Sequence, residues 1–387
     1  MVVKRIQAFD LRDVFKTERT LLSLSGFYPQ RHQINVPFYF TSALINVVVS
    51  YLQLFSMFGQ MVVDRKDLSK LTDTLLFFMT HFTFLGKLTN FGYYRQNLLA
   101  IEDDLCARIF YSFSEKQLGI LISKIGSCNT IAKIFRMSCV LCIIFYSVLP
   151  LLGDEKNLPL PGWLPYDTDA FYLETIIFQI LSVCVSAYNN SSIDILTWKL
   201  IAVASGEMEI LKENLRDLEY KSNGDKELEV TKETFGICIQ QHNAVIDLVH
   251  KIEFVFSKGI FMQFLSSVII ICFTGFQLLV VPMASIQFVF LVMYFFCMMC
   301  QVAMYCWYGH EVMTTSDELG KFCYMSNWYD SDINIRKSIT IFLEKTKKPV
   351  VLTAGKFVTL SLATLTGILR SSYSYFAVLQ HLYQEDS

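Results

Sequence analysis

Seven stretches of this chain are too long and too apolar for a water-soluble fold, and they set the solvent in which the rest must be read. A window of about 19 residues, matched to a hydrocarbon core of about 30 Å, selects roughly residues 36–59, 71–91, 131–151, 171–190, 258–281, 285–308 and 350–380. In lipid every backbone N–H and C=O needs an internal partner, which leaves helices or a closed β-barrel. The apolar runs lack the two-residue alternation of barrel strands. The expected fold class is therefore all-α, a polytopic membrane protein with seven transmembrane helices. Asp73, His81 and Lys87 make the second segment the most polar of the early spans.

Orientation follows from the loops. Lys and Arg number 25 in residues 1–35, 92–136, 203–258 and 309–349, against 4 in the alternate loops. The positive-inside rule places the first group in the cytoplasm, giving a cytoplasmic N-terminus and, after seven crossings, an extracellular C-terminus. Residues 1–35 are charged throughout and lack an apolar core of signal-peptide length, so that segment is expected to stay on the chain. A net charge of −2 gives no electrostatic case for nucleic acid. No Gly-rich phosphate loop, zinc spacing or Ser-His-Asp order appears, so neither an enzyme, a metal nor a cofactor is expected. Cys297 and Cys300 form a C-x-x-C inside an apolar helix, where they read as small packing residues. The overlapping sequons at Asn189 and Asn190 fall at the inner end of the fourth span and are expected to stay unmodified.

The chain divides into a cytoplasmic segment 1–35, spans one to four over 36–190, a cytoplasmic helical hairpin over 191–257, spans five and six over 258–308, a second cytoplasmic helical segment over 309–349, and 350–387 with the last span and a short extracellular tail. Met208, Leu211, Leu215 and Leu218 continue the fourth span as an apolar stripe beyond the membrane. Phe235, Ile239, His242, Ile246, Val249 and Phe256 lead back into the fifth. Lys221–Lys226 supplies the turn, and Ile335, Ile339, Phe342 and Leu343 stripe the segment before Pro349. These stripes either pack within one chain or join several subunits. Leu211, Ile246 and Phe342 are the candidate assembly positions under the second reading.

The last span is rich in hydroxyls. Ser361, Thr364, Ile368, Ser371, Tyr375, Val378 and Leu382 follow three- and four-residue steps down one helical face. Several copies around an axis would make an aqueous path with an apolar constriction at Val378 and Leu382. Hydroxyls and Gly367 equally suit close packing between membrane helices. Lys356 and Arg370 read as snorkelling or paired charges.

Residues 302–381 resemble the insect odorant receptor family. The resemblance is carried by Tyr305-Cys306-Trp307-Tyr308-Gly309-His310-Glu311, by Ser316, Ser326-Asn327-Trp328-Tyr329, Arg336-Lys337 and Lys348-Pro349, then by Leu352-Thr353-Ala354-Gly355-Lys356-Phe357 and Ser372-Tyr373-Ser374-Tyr375-Phe376. His310 is a departure, since the family pattern runs from Gly to Glu without an intervening residue. The resemblance implies a ligand-selective tuning subunit, shorter than the co-receptor of the family, that forms a heterotetramer with that co-receptor in the plasma membrane of olfactory sensory neurons. It implies a nonselective cation current opened by a small volatile organic ligand, with the gate at Val378.

It also implies a ligand pocket in the outer half of the membrane among spans two, three, four and six. With the orientation above, the residues concerned are Thr74, Phe77, Phe78 and His81, then Cys142, Phe145 and Tyr146, then Gln179 and Val183, and finally Tyr294 and Phe295. His81, Gln179 and Tyr294 are the polar candidates to orient a ligand. A gustatory-receptor-like channel and a G-protein-coupled receptor are the alternatives, and the second requires an outside N-terminus. A transporter would show internal repeats or broken helices at the midplane, and neither is seen.

Overall fold

The computed structural model describes residues 10–28, 36–106, 113–148, 158–168, 170–218, 225–326 and 328–386. Its helices are α1 (Lys16–Leu24), α2 (Val36–Val63), α3 (Leu68–Tyr93), α4 (Arg95–Leu105), α5 (Glu115–Val148), α6 (Tyr172–Arg216), α7 (Asp225–Val280), α8 (Ile286–Met325), α9 (Ile333–Thr346) and α10 (Leu362–Asp386). A short hairpin of β1 (Thr353–Ala354) and β2 (Val358–Thr359) precedes α10. Seven helices, α2, α3, α5, α6, α7, α8 and α10, have 25 residues or more. At 1.5 Å per residue the shortest of them exceeds the roughly 30 Å hydrocarbon core. Among the described residues α2, α5, α6, α7 and α8 are also apolar enough to cross by composition.

The polarity of α3 has a packing reason: this helix is inside the bundle. Thr72 accepts from the Gln277 amide at 2.9 Å, Thr83 donates to Ser266 at 2.6 Å, and Lys87 meets Asp194 at 2.6 Å. These three polar groups are thus satisfied by protein, as a membrane interior demands. α2 is the opposite case, with Phe38, Phe40, Leu44, Leu52 and Phe55 all exposed to the surroundings that lipid would fill.

α6, α7 and α8 run far beyond a membrane thickness, as the stripes predicted. Leu211, Leu215, Val249, Ile339 and Phe342 are buried within the single chain. Leu211 and Phe342 therefore spend their apolar surface inside the subunit, while Ile246 is partly buried. The turn expected at 221–226 falls mostly outside the described residues; α7 begins at Asp225. The third span is longer than expected, because α5 starts at Glu115 and takes Lys124, Lys133 and Arg136 into the helix. The short α1 clamps α5 to α6, Glu18 receiving Arg136 at 2.9 Å and Lys199 at 2.8 Å.

The last span differs most from expectation. The helix predicted from Val350 begins at Leu362, where the Ser361 hydroxyl accepts from the Thr364 N–H at 3.3 Å as a cap. Residues 353–359 form the hairpin instead, because Gly355 and Lys356 both adopt positive φ, 62° and 66°. The hairpin is fastened to α7: Gly355 N–H donates to Ser257 O at 3.0 Å, and the Ser257 hydroxyl donates to Thr353 O at 2.7 Å. A Cβ on Gly355 would stand 2.7 Å from Phe261, and one on Gly309 of α8 would stand 2.3 Å from the Cβ of Leu360. Both glycines are required by close approach. Lys356 consequently sits at an exposed turn and not inside a span.

Candidate functional site

α3, α5, α6 and α8 each turn one stripe toward a shared cavity of about 110 Å³. Phe77, Thr80, His81 and Phe84 come from α3. Phe135, Cys139, Cys142, Ile143 and Tyr146 come from α5, Val183, Ser186, Ala187, Asn190 and Ser191 from α6, and Phe290, Tyr294, Cys297, Met298 and Gln301 from α8. The three- and four-residue steps are those of a single helical face. Leu160, in the segment before α6, completes the wall.

Aromatic contacts hold one part of the cavity. Phe77 lies 5.5 Å from Tyr146, 6.3 Å from Phe290 and 6.1 Å from Tyr294, ring centre to ring centre. The other end rests on a buried polar cluster. Asp194 accepts from Lys87 at 2.6 Å, from Tyr305 at 2.5 Å and from Gln301, whose carbonyl accepts from Gln263 at 2.8 Å. Asn190 receives the second contact of Lys87 at 3.1 Å. Trp198 packs below, 4.9 Å from Phe135 and 5.9 Å from Tyr305. An apolar chamber thus stands on a charge pair that ties α3 to α6, with α7 and α8 joined through the two glutamines.

Phe77, His81, Cys142, Tyr146, Val183 and Tyr294, named from the sequence, line this cavity. Thr74, Phe78, Phe145, Gln179 and Phe295 do not. Thr74 donates back to the Lys70 carbonyl at 3.0 Å. Phe78 faces outward against Phe58 and Phe82, along an open groove with α2. Phe145 and Phe295 pack on the core. Gln179 uses both ends of its amide on the Leu160 backbone, accepting at 3.0 Å and donating at 3.1 Å. It holds the loop that brings Leu160 to the cavity. Sequence reasoning missed Phe84, Phe135, Ser186, Asn190, Phe290, Met298 and Gln301, although one or two more helical turns along the same stripes reach them.

Of the residues on the hydroxyl face of the last span, Ser361 and Ile368 are buried against the bundle, and Thr364 is half-buried with its hydroxyl on Thr359 O at 2.6 Å. Ser371, Tyr375 and Val378 are exposed, the last two by 60% and 57%. The side chain of Leu382 lies outside the described residues. The exposed arc of α10 also includes Thr366, Gly367, Arg370 and Ser374, because a three- and four-residue line drifts around a 3.6-residue helix. Among the described residues no cluster of metal-ligating side chains occurs.

Comparison with known proteins places this geometry. Odorant receptor Or1 of Anopheles gambiae is 24% identical over 416 aligned positions, covering 98% of both chains. Putative odorant receptor 85d of Drosophila melanogaster is 27% identical over 59% of this chain and 55% of its own. The structure of olfactory receptor OR5 from Machilis hrabei, solved in complex with eugenol, superposes with a TM-score of 0.86 at 14% identity, over 96% of this chain and 98% of that one. A second structure of the same receptor gives a TM-score of 0.83 at 15% identity, over 95% of this chain and 98% of that one. The family described as 7tm Odorant receptor matches residues 67–373, from the start of α3 into α10, and by that match the chain belongs to the odorant receptor family of seven-helix membrane proteins, which is not a family of enzymes.

Proposed function

We propose that this chain is the odorant-sensing subunit of a heteromeric, odorant-gated, nonselective cation channel, partnered by a co-receptor in the plasma membrane of olfactory sensory neurons. The observation that carries the reading is the aromatic cavity among α3, α5, α6 and α8, which has the predominantly apolar walls and convergent polar groups of a small-molecule site. The eugenol complex of the structurally similar Machilis receptor supports a small volatile occupant.

The outer face of α10 supports the channel half of the proposal. Exposed positions on α2 are mainly aliphatic or phenyl, as lipid requires, whereas the exposed arc of α10 carries Thr366, Ser371, Ser374 and Tyr375. Copies of such a face around an axis make a wet path. No acidic residue occurs from Leu362 to Gln384, which agrees with weak discrimination among cations. Val378 is the proposed gate residue. Since Leu211 and Phe342 are buried in their own chain, subunit contact falls instead to exposed apolar groups at the same end, such as Ile237, Ile333 and Ile341. Patch-clamp recording with and without the co-receptor during exposure to an odorant panel tests the proposal. Ligand-dependent cation current that needs the partner is the expected result, and absence of current with both chains at the cell surface would overturn it.

A further inference from the structure

Most polar atoms around the cavity are already engaged. Thr80 and Tyr294 share a hydrogen bond of 2.5 Å, Ser191 donates to Tyr188 O at 3.0 Å, Asn190 accepts from Lys87, and Gln301 is held between Asp194 and Gln263. Three are not: His81 Nε2, the Tyr146 hydroxyl and Ser186 Oγ are buried and have no partner. All three residues line the same cavity. A buried polar group left bare carries its full desolvation penalty, so three beside one cavity point to an occupant that satisfies them.

The chemistry of the three sites differs, and the difference selects a ligand. Phe77, one turn back on α3, is the backbone hydrogen-bond partner of His81, and because Nε2 has no partner this contact falls to Nδ1. In the neutral ring Nδ1 then carries the proton, and Nε2 is left as a lone-pair acceptor. Tyr146 and Ser186 carry hydroxyls, each able to donate. A ligand that satisfies this set must donate one hydrogen bond and accept another. Hydrocarbons do neither; ethers, ketones and esters accept without donating. A hydroxyl group does both.

We propose that the preferred ligand of this cavity is an alcohol or phenol, its O–H donating to His81 Nε2 and its oxygen accepting from Tyr146 or Ser186, with the carbon skeleton against Phe77, Phe84 and Phe290. This rests on the reading of the cavity as the odorant site and names the ligand class for it. At about 10–15 Å³ per water-sized occupant, the cavity volume corresponds to a molecule on the order of ten heavy atoms. An aryl alcohol with a short side chain is of that size.

The test compares 2-phenylethanol with its methyl ether, its acetate and propylbenzene, using two readouts: binding to the purified full-length chain by ligand-induced thermal shift, and current from the chain co-expressed with its partner. The alcohol should bind roughly tenfold or more tightly than the ether and acetate, the loss expected when a built hydrogen-bonding site is left unpaired. His81→Phe keeps an aromatic of similar breadth and removes the acceptor, and should bring alcohol and ether within about twofold of each other. Tyr146→Phe removes one hydroxyl and is the second variant should His81→Phe fail to fold; it should reduce the preference in part. Equal binding of all four compounds by the unmodified chain overturns the ligand class and leaves the channel proposal standing. Preferential alcohol binding without any current has the opposite meaning, sustaining the ligand class against the channel. No binding of any of the four would overturn the assignment of this cavity to such ligands.

Discussion

Replacing Lys87 by methionine keeps the length of the side chain and removes its charge from the base of the cavity. The perturbation is large because Lys87 and Asp194 are buried, with side-chain exposures of 3% and 0%, and lie 2.6 Å apart. In Lys87→Met the carboxylate keeps two neutral donors, Tyr305 and Gln301, and loses its counter-charge. Breaking a buried pair by removing one partner costs about 3–5 kcal/mol, because the remaining charge is stranded in a medium of low dielectric. At a few degrees per kcal/mol this lowers the unfolding midpoint by on the order of 10 °C. Asp194→Asn alone should cost a similar amount by stranding the ammonium. The double variant Lys87→Met/Asp194→Asn removes both charges while Asn still offers an oxygen to Tyr305 and Gln301, so it should recover most of the loss. The assay is the fraction of monodisperse, detergent-solubilised protein surviving a temperature series, with Lys347→Ala at the exposed Lys347–Glu344 pair as a control expected to change little. A Lys87→Met protein within a degree or two of the parent, or a double variant worse than either single one, would refute the reasoning.

Val378→Ser should raise current in the absence of odorant or alter relative cation permeability, because a polar side chain lowers the cost of wetting a closed apolar constriction. Val358→Ser, in the hairpin and not in α10, should do much less; identical leak at matched surface expression would remove Val378 from the gate. Gly309→Ala places a methyl 2.3 Å from the Leu360 Cβ and should cost about 1–3 kcal/mol in heat stability as the hairpin shifts off α8, so an unchanged midpoint would contradict the packing described. Gln179→Leu frees the Leu160 backbone and should speed decay of the current after odorant removal, with surface expression held; unaltered kinetics would show that Leu160 does not retain the ligand.

What was legible in the sequence tracks how directly periodicity reports environment. The long helices and their extensions beyond a membrane thickness were visible, because an apolar stripe in water and an apolar run in lipid both leave a pattern without reference to any partner. The start of α10 was not: Val350, Val351 and Leu352 read as membrane, and only the positive φ at Gly355 and Lys356, with anchors on Ser257 of α7, makes the segment a hairpin. Only six of the twenty residues lining the cavity were legible, for a related reason. Which of Phe77 and Phe78 points inward depends on the rotation of α3, and its hydropathy does not reveal that, since its polar residues meet α6, α7 and α8 on several sides. Gln179 looked like a ligand contact and proved to be a loop anchor, because a side-chain amide serves a backbone as readily as an odorant. The Lys87–Asp194 pair joins residues 107 apart in sequence and had no local signature.

The central claim is that a ligand in the α3–α5–α6–α8 cavity opens a pore formed by the same assembly. Recording from excised inside-out patches containing this chain and its co-receptor, bathed in solution free of nucleotides, tests it most directly. Odorant applied to such patches should evoke a nonselective cation current, His81→Phe should shift the odorant concentration for half response, and Val378→Ser should change the permeation. Current that vanishes on excision and returns only with guanine nucleotide would contradict it, since the chain would then act through a cytoplasmic messenger and not as part of the channel.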